Sequence, residues 1–131
     1  MKALQVDART AESLLSEVRF DDKGLVLAIA CDSASSEVLR AAWMNAESLK
    51  LTLTTGRMTY WSRSRRELWV KGLTSGHIQT VIGVEIDCDG DALRFRVHQK
   101  GHAACHTNRT SCFFRSLQDG HWVTVDDPVK G

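Results

Sequence analysis

The sequence predicts an α+β domain with a mainly antiparallel sheet and two or three short helices, on three observations. Helical spacing is confined to the first 56 residues, and from residue 60 to 98 apolar side chains recur at alternate positions. A length of 131 residues fits one domain and leaves little room for another. The whole chain, 1–131, is read as that domain, with a core over about 20–115, an N-terminal extension at 1–19 and a C-terminal tail at 116–131.

In residues 10–19, Leu14, Leu15 and Val18 give the spacing of a short surface helix. An apolar run at 25–30 follows the turn signal Asp21-Asp22-Lys23-Gly24 and predicts a buried strand. Ser33 to Ser36 offer N-caps for a helix from about Glu37 to Ala46, with Val38, Leu39, Ala42 and Trp43 on one face. Asn45 is placed to cap a second helix through Glu47 and Leu49 toward Leu53, ending at Gly56. Residues 60–64 and 67–70 then read as strands around an Arg-rich turn. Ile78, Thr80, Ile82, Val84 and Ile86 are expected on one strand face, and Leu93, Phe95 and Val97 alternate with Arg94, Arg96 and His98. Asp89-Gly90 joins these last two strands as a hairpin.

Apolar residues make up 43% and charged residues 25%, the proportions of a folded globular chain. With 17 basic and 16 acidic side chains the formal charge is +1, so there is no general pull toward nucleic acid or anionic lipid. Charge at Lys2, Asp7 and Arg9 interrupts what a signal peptide would keep apolar, and no stretch reaches the roughly 20 apolar residues of a membrane helix. A cytoplasmic location is expected, where the four cysteines serve as thiols or metal ligands rather than disulfides. Cys31, ending the first strand, reads as a small core residue.

Two segments carry metal-binding chemistry. If the strand through Ile86 ran on to Asp89, alternation would send Asp87 and Asp89 to one side and Cys88 to the other. Carboxylates suit Mg²⁺ or Ca²⁺ and a thiolate suits Zn²⁺, so two different metals would meet there. Asp91 adds a third carboxylate; the competing reading is an ordinary acidic hairpin tip. The second segment, Cys105-His106 followed by Cys112, gives three thiolates when combined with Cys88. That set fits a catalytic zinc with an open fourth position, or a closed Cys₃His site that only supports the fold. His106, if not a ligand, has the right chemistry for proton transfer; otherwise it is a surface loop residue.

Two further segments point to a ligand. Trp61, Ser62, Arg63, Ser64 and Arg65 combine a stacking surface with phosphate donors, and on a near-neutral domain one short patch fits a single phosphorylated molecule better than nucleic acid. An exposed strand with Arg for solubility would use the same residues. Thr74, Ser75 and His77, in a glycine-bearing loop, offer further hydrogen-bonding groups, although the loop lacks the Walker pattern.

In order, Trp43-Met44-Asn45, Thr54-Thr55-Gly56, Tyr60-Trp61-Ser62-Arg63-Ser64-Arg65, Leu68-Trp69-Val70-Lys71-Gly72, Thr74-Ser75-Gly76-His77-Ile78-Gln79, Asp87-Cys88-Asp89-Gly90-Asp91, Ala104-Cys105-His106-Thr107 and Ser111-Cys112-Phe113-Phe114 resemble phosphoribosyl-AMP cyclohydrolase, over roughly residues 20–115. The resemblance implies a step of histidine biosynthesis: hydrolytic opening of the adenine ring of phosphoribosyl-AMP between N1 and C6, giving the formimino aminoimidazole carboxamide ribonucleotide. It implies an interlocked homodimer with Zn²⁺ and Mg²⁺ at the subunit interface. Asp87, Asp89 and Asp91 would hold Mg²⁺; Cys88 of one subunit with Cys105 and Cys112 of the other would hold Zn²⁺. Zinc would activate the attacking water, His106 would transfer protons with His77 as a second catalytic candidate, and Trp61 or His77 would contact base or ribose. Ser62, Arg63, Ser64 and Arg65 would bind phosphate. Asn108 stands where the family has Gly, and the segment 31–36 lacks the usual Thr-Gly turn; neither departure removes a ligand. The rival reading is a zinc-stabilised nucleotide-binding module without catalysis.

Overall fold

The structure, a computed structural model, describes residues 2–72, 76–99 and 111–125. Helix α1 (Ala8–Leu15) starts where the Asp7 carboxylate accepts the Thr10 N–H at 2.7 Å. Helix α2 (Ala46–Thr55) has a full capping box between Asn45 and Ser48, and Gly56 ends it in the left-handed region at φ 74°. Two of the three expected helices therefore form.

Strands β1 (Val26–Asp32), β2 (Val38–Met44), β5 (Gln79–Ile86) and β6 (Ala92–Gln99) make one sheet in the order β2-β1-β6-β5. Strands β3 (Thr59–Ser62) and β4 (Glu67–Val70) form one antiparallel ribbon, β7 (Arg115–Gln118) and β8 (His121–Thr124) another. Among the described residues only β1 and β6 run parallel, so the class is α+β with mainly antiparallel sheets. The core lies between the main sheet and α2, where Val26, Leu39, Leu49, Phe95 and Val97 are almost fully buried. The N-terminal segment joins it: Leu4 N–H donates to the Val81 carbonyl, and Val6 N–H to that of Leu53.

Two expectations need correction. The helix expected over 37–46 is strand β2. Ser33 to Ser36 are not N-caps but the β1–β2 turn: the Asp32 carboxylate accepts the Ala34 and Ser35 amides, and Ser36 turns the chain at φ 65°. Pairing along β1 then outweighs the helical spacing of 38–43, as tertiary context often does. In β5 the register breaks between Val81 and Gly83. Gln79 and Val81 are buried ahead of the break and Val84 packs on the core beyond it, so the expected continuous face from Ile78 to Ile86 is split. Within the tail assigned to 116–131, residues 116–118 and 121–124 lie in a hairpin, whose exposed Leu117 and Trp122 gave no clear alternation.

Candidate metal centre and ligand groove

Strand β5 stops at Ile86, and residues 87–90 form the turn into β6. The strand does not continue to Asp89, so alternation is not what groups the carboxylates. The turn does it instead: Asp87 N–H bonds the Ala92 carbonyl, Gly90 N–H bonds the Asp87 carbonyl, and Asp91 N–H donates to Asp87 Oδ1 at 3.0 Å. Gly90 has φ 74° and its carbonyl accepts the Arg19 N–H, which pins the turn to the segment after α1. As a result one carboxylate oxygen from each of Asp87, Asp89 and Asp91 lies within 4.8 Å of the others. All three side chains are exposed, as is Cys88.

The hydrogen bond with Asp91 and the amides of Asp91, Ala92 and Gly90 hold the Asp87 carboxyl below its ordinary range. The Asp87 carboxylate pushes Asp91 up, first by that hydrogen bond and then by like charge. A divalent cation would relieve this opposition. Three hard oxygens grouped this way have the donor chemistry that Mg²⁺ or Ca²⁺ takes.

Cys112 lies elsewhere. Its N–H donates to the Leu39 carbonyl, and Ser111 Oγ donates to that of Val38, fastening the segment to β2. Beside it Arg40 Nη1 lies 3.6 Å from Cys112 Sγ. Cys88 follows β5, at the other end of the strand order. The registers add a displacement along the strands, since Ala92 is level with Leu27 and Leu27 with Trp43, four residues from Leu39. At roughly 4.8 Å between strands and 3.3 Å per residue, the backbone positions beside the two cysteines lie on the order of 15–20 Å apart. Thiolates sharing a zinc ion sit about 2.3 Å from it. One chain therefore does not bring Cys88 and Cys112 to the same ion. Cys105, His106, Thr74 and Ser75 lie outside the described residues.

Trp61, Arg63 and Ser64 line a broad groove together with Lys23, Asn45 and Arg66. Arg63 sits over the Trp43 ring at 5.1 Å. Arg65 does not line this groove; it is exposed and faces Glu67 at 3.9 Å. Ser62 and Ser64 hydroxyls approach to 3.4 Å. Arg66 closes the Arg-rich segment that begins at Tyr60, whereas Lys23 was not anticipated, because it is contributed by a distant turn that no local pattern links to it.

His77 is held from behind. Tyr60 Oη donates to Gln79 Oε1 at 2.9 Å, Gln79 Nε2 to Gln99 Oε1 at 3.0 Å, and Gln99 Nε2 to the His77 carbonyl at 3.1 Å. Tyr60 and Gln79 are almost fully buried, and burial raises the Tyr60 phenol far above its usual range. Gly72, at φ 84°, leaves no space between itself and the His77 backbone for a Cβ. Cys31 is a buried free thiol whose pKa is raised by desolvation, as suits a core residue.

The family model for phosphoribosyl-AMP cyclohydrolase matches residues 40–114. The chain is 58% identical to the phosphoribosyl-AMP cyclohydrolase of Chromobacterium violaceum over 90% of its own length and 89% of the relative's. The chain belongs to the phosphoribosyl-AMP cyclohydrolase family. Homologues of that name from Aromatoleum aromaticum, at 56% identity over 88% of each chain, and Bordetella petrii, at 51% over 92% and 93%, span it equally well. A phosphoribosyl-AMP cyclohydrolase is a hydrolytic enzyme of histidine biosynthesis, and a binding module without catalysis is not favoured. Among the described residues no helix is long and apolar enough to cross a membrane.

Proposed function

We propose that this chain opens the adenine ring of phosphoribosyl-AMP at the N1–C6 bond, as a homodimer whose zinc site is shared between subunits. The observation that carries the reading is the separation of Cys88 from Cys112 to opposite regions of one sheet, while Asp87, Asp89 and Asp91 converge. A second copy offering Cys105 and Cys112 to the first copy's Cys88 resolves the separation. The exposed Phe113 next to Cys112, the exposed Leu117 and Trp122 of the hairpin that follows, and the apolar cavity of about 500 Å³ beside Cys88, bordered by Leu4, Val6, Leu53 and Ile86, support such an interface. Free thiols suit the reducing cytoplasm.

In this reading Asp87, Asp89 and Asp91 hold Mg²⁺, and Cys88, Cys105 and Cys112 hold Zn²⁺. Zinc, when bound, supplies the Lewis acidity that brings the pKa of water toward about 7. His106, next to a zinc-binding cysteine, transfers protons. Arg63, with Ser62 and Ser64, binds a substrate phosphate, and Lys23 and Arg66 extend that groove. Arg65 has a lesser part because it is turned toward Glu67. Trp61 stacks on the base, while His77, with Thr74 and Ser75, contacts base or ribose. Metal analysis joined to a spectrophotometric ring-opening assay tests the reading. Cys105→Ser and Cys112→Ser should lose both zinc and activity; full activity in zinc-free protein contradicts it.

A further inference from the structure

Arg40 interrupts the apolar run Val38-Leu39-Arg40-Ala41-Ala42-Trp43, and the structure gives its guanidinium a defined seat. It lies 4.4 Å from the centroid of the Trp69 ring and 5.6 Å from that of Tyr60. Those rings are cross-strand partners in the β3–β4 ribbon, 5.5 Å apart. Aromatic faces attract a guanidinium and fix its plane. From this platform Nη1 reaches Cys112 Sγ at 3.6 Å, while the Cys112 N–H is held by the neighbouring Leu39 carbonyl. Backbone and side chain of Cys112 are thus both anchored on β2.

We propose that Arg40 is a positioning residue for zinc, clamped on Trp69 so that it donates to the Cys112 thiolate and offsets the charge of a three-thiolate site. The inference rests on the zinc reading above. Three thiolates around Zn²⁺ leave a net charge of −1, and a guanidinium at one sulfur brings the cluster to neutrality. Arginine keeps its charge at any working pH and donates without accepting, so it can only support the thiolate form. Groups that hydrogen-bond a metal ligand tune its affinity by roughly 10- to 100-fold.

Arg40→Met keeps a flexible side chain able to pack on Trp69 but removes the charge and the donors. Zinc affinity of the full chain is measured by competition with a chromophoric chelator, and Co²⁺-loaded protein reports the thiolate-to-metal charge-transfer band. Arg40→Met should bind zinc about tenfold more weakly or worse. Its cobalt band should shift, and the melting temperature of the metal-free protein should change little. Arg40→Lys, which retains the charge, should recover part of the affinity. Wild-type affinity with an unshifted band in Arg40→Met overturns the inference while leaving the zinc reading intact. Equal affinities in the Lys and Met variants also overturn it. A wild-type chain that takes up neither metal fails the zinc reading itself.

Discussion

Asp87 works inside its turn as well as in the proposed metal site, because Oδ1 already accepts the Asp91 amide. Asp89 has no such bond among those found in the turn, which makes it the cleaner probe. Asp89→Asn should lower ring-opening activity on the order of tenfold or more with little change in melting temperature; equal loss of both would assign Asp89 a structural part. Tyr60 gives a second prediction. Tyr60→Phe leaves the buried Gln79 carbonyl without its donor and should cost about 1–3 kcal/mol in urea unfolding. The sign of its pH dependence follows from burial. The fold holds the phenol neutral, so this stabilisation is complete below about pH 10 and falls as the unfolded chain ionises above it. The wild-type advantage over Tyr60→Phe should therefore shrink between about pH 9 and about pH 11. The Asp triplet was legible in the sequence because one five-residue turn supplies it. Arg40 was not, because its partners Trp69 and Cys112 come from other elements.

At the scale of elements, the caps of α2 and the β5–β6 hairpin were read correctly, whereas the β1–β2 turn and the pairing across it were not. Asn45, Ser48 and Gly56 fix α2 by contacts inside one helix. The run 38–44 has a spacing that suits a helix, and only β1 alongside it makes it a strand. The bulge at Ile82 was hidden for the same reason, since it is defined by the β6 partner. Room for the Arg96 guanidinium over Gly83 is likewise a cross-strand property. Gly72, backed against the His77 backbone, tests how an element positions a site. Gly72→Ala puts a Cβ against the His77 backbone in a left-handed conformation, and should destabilise by about 1–3 kcal/mol. Activity should fall further than stability alone explains, measured as kcat and KM at a temperature where the variant stays folded. Unchanged kinetics would free the His77 loop from any part in substrate binding.

At the scale of the molecule, the sheet order is what turns a list of ligands into a claim about assembly. No single stretch reveals that Cys88 and Cys112 end on different sides of one sheet; the parallel β1–β6 pair inserted between their strands does so. If each site takes Cys88 from one subunit and Cys112 from the other, two inactive variants complement each other. Chains carrying Cys88→Ser and Cys112→Ser are unfolded together, refolded as a mixture with zinc, and assayed for ring opening. Half the dimers would be mixed and each would own one intact site, so about a quarter of wild-type activity should return. Activity no higher than that of either variant refolded alone, in a mixture shown to contain mixed dimers, would contradict the shared site.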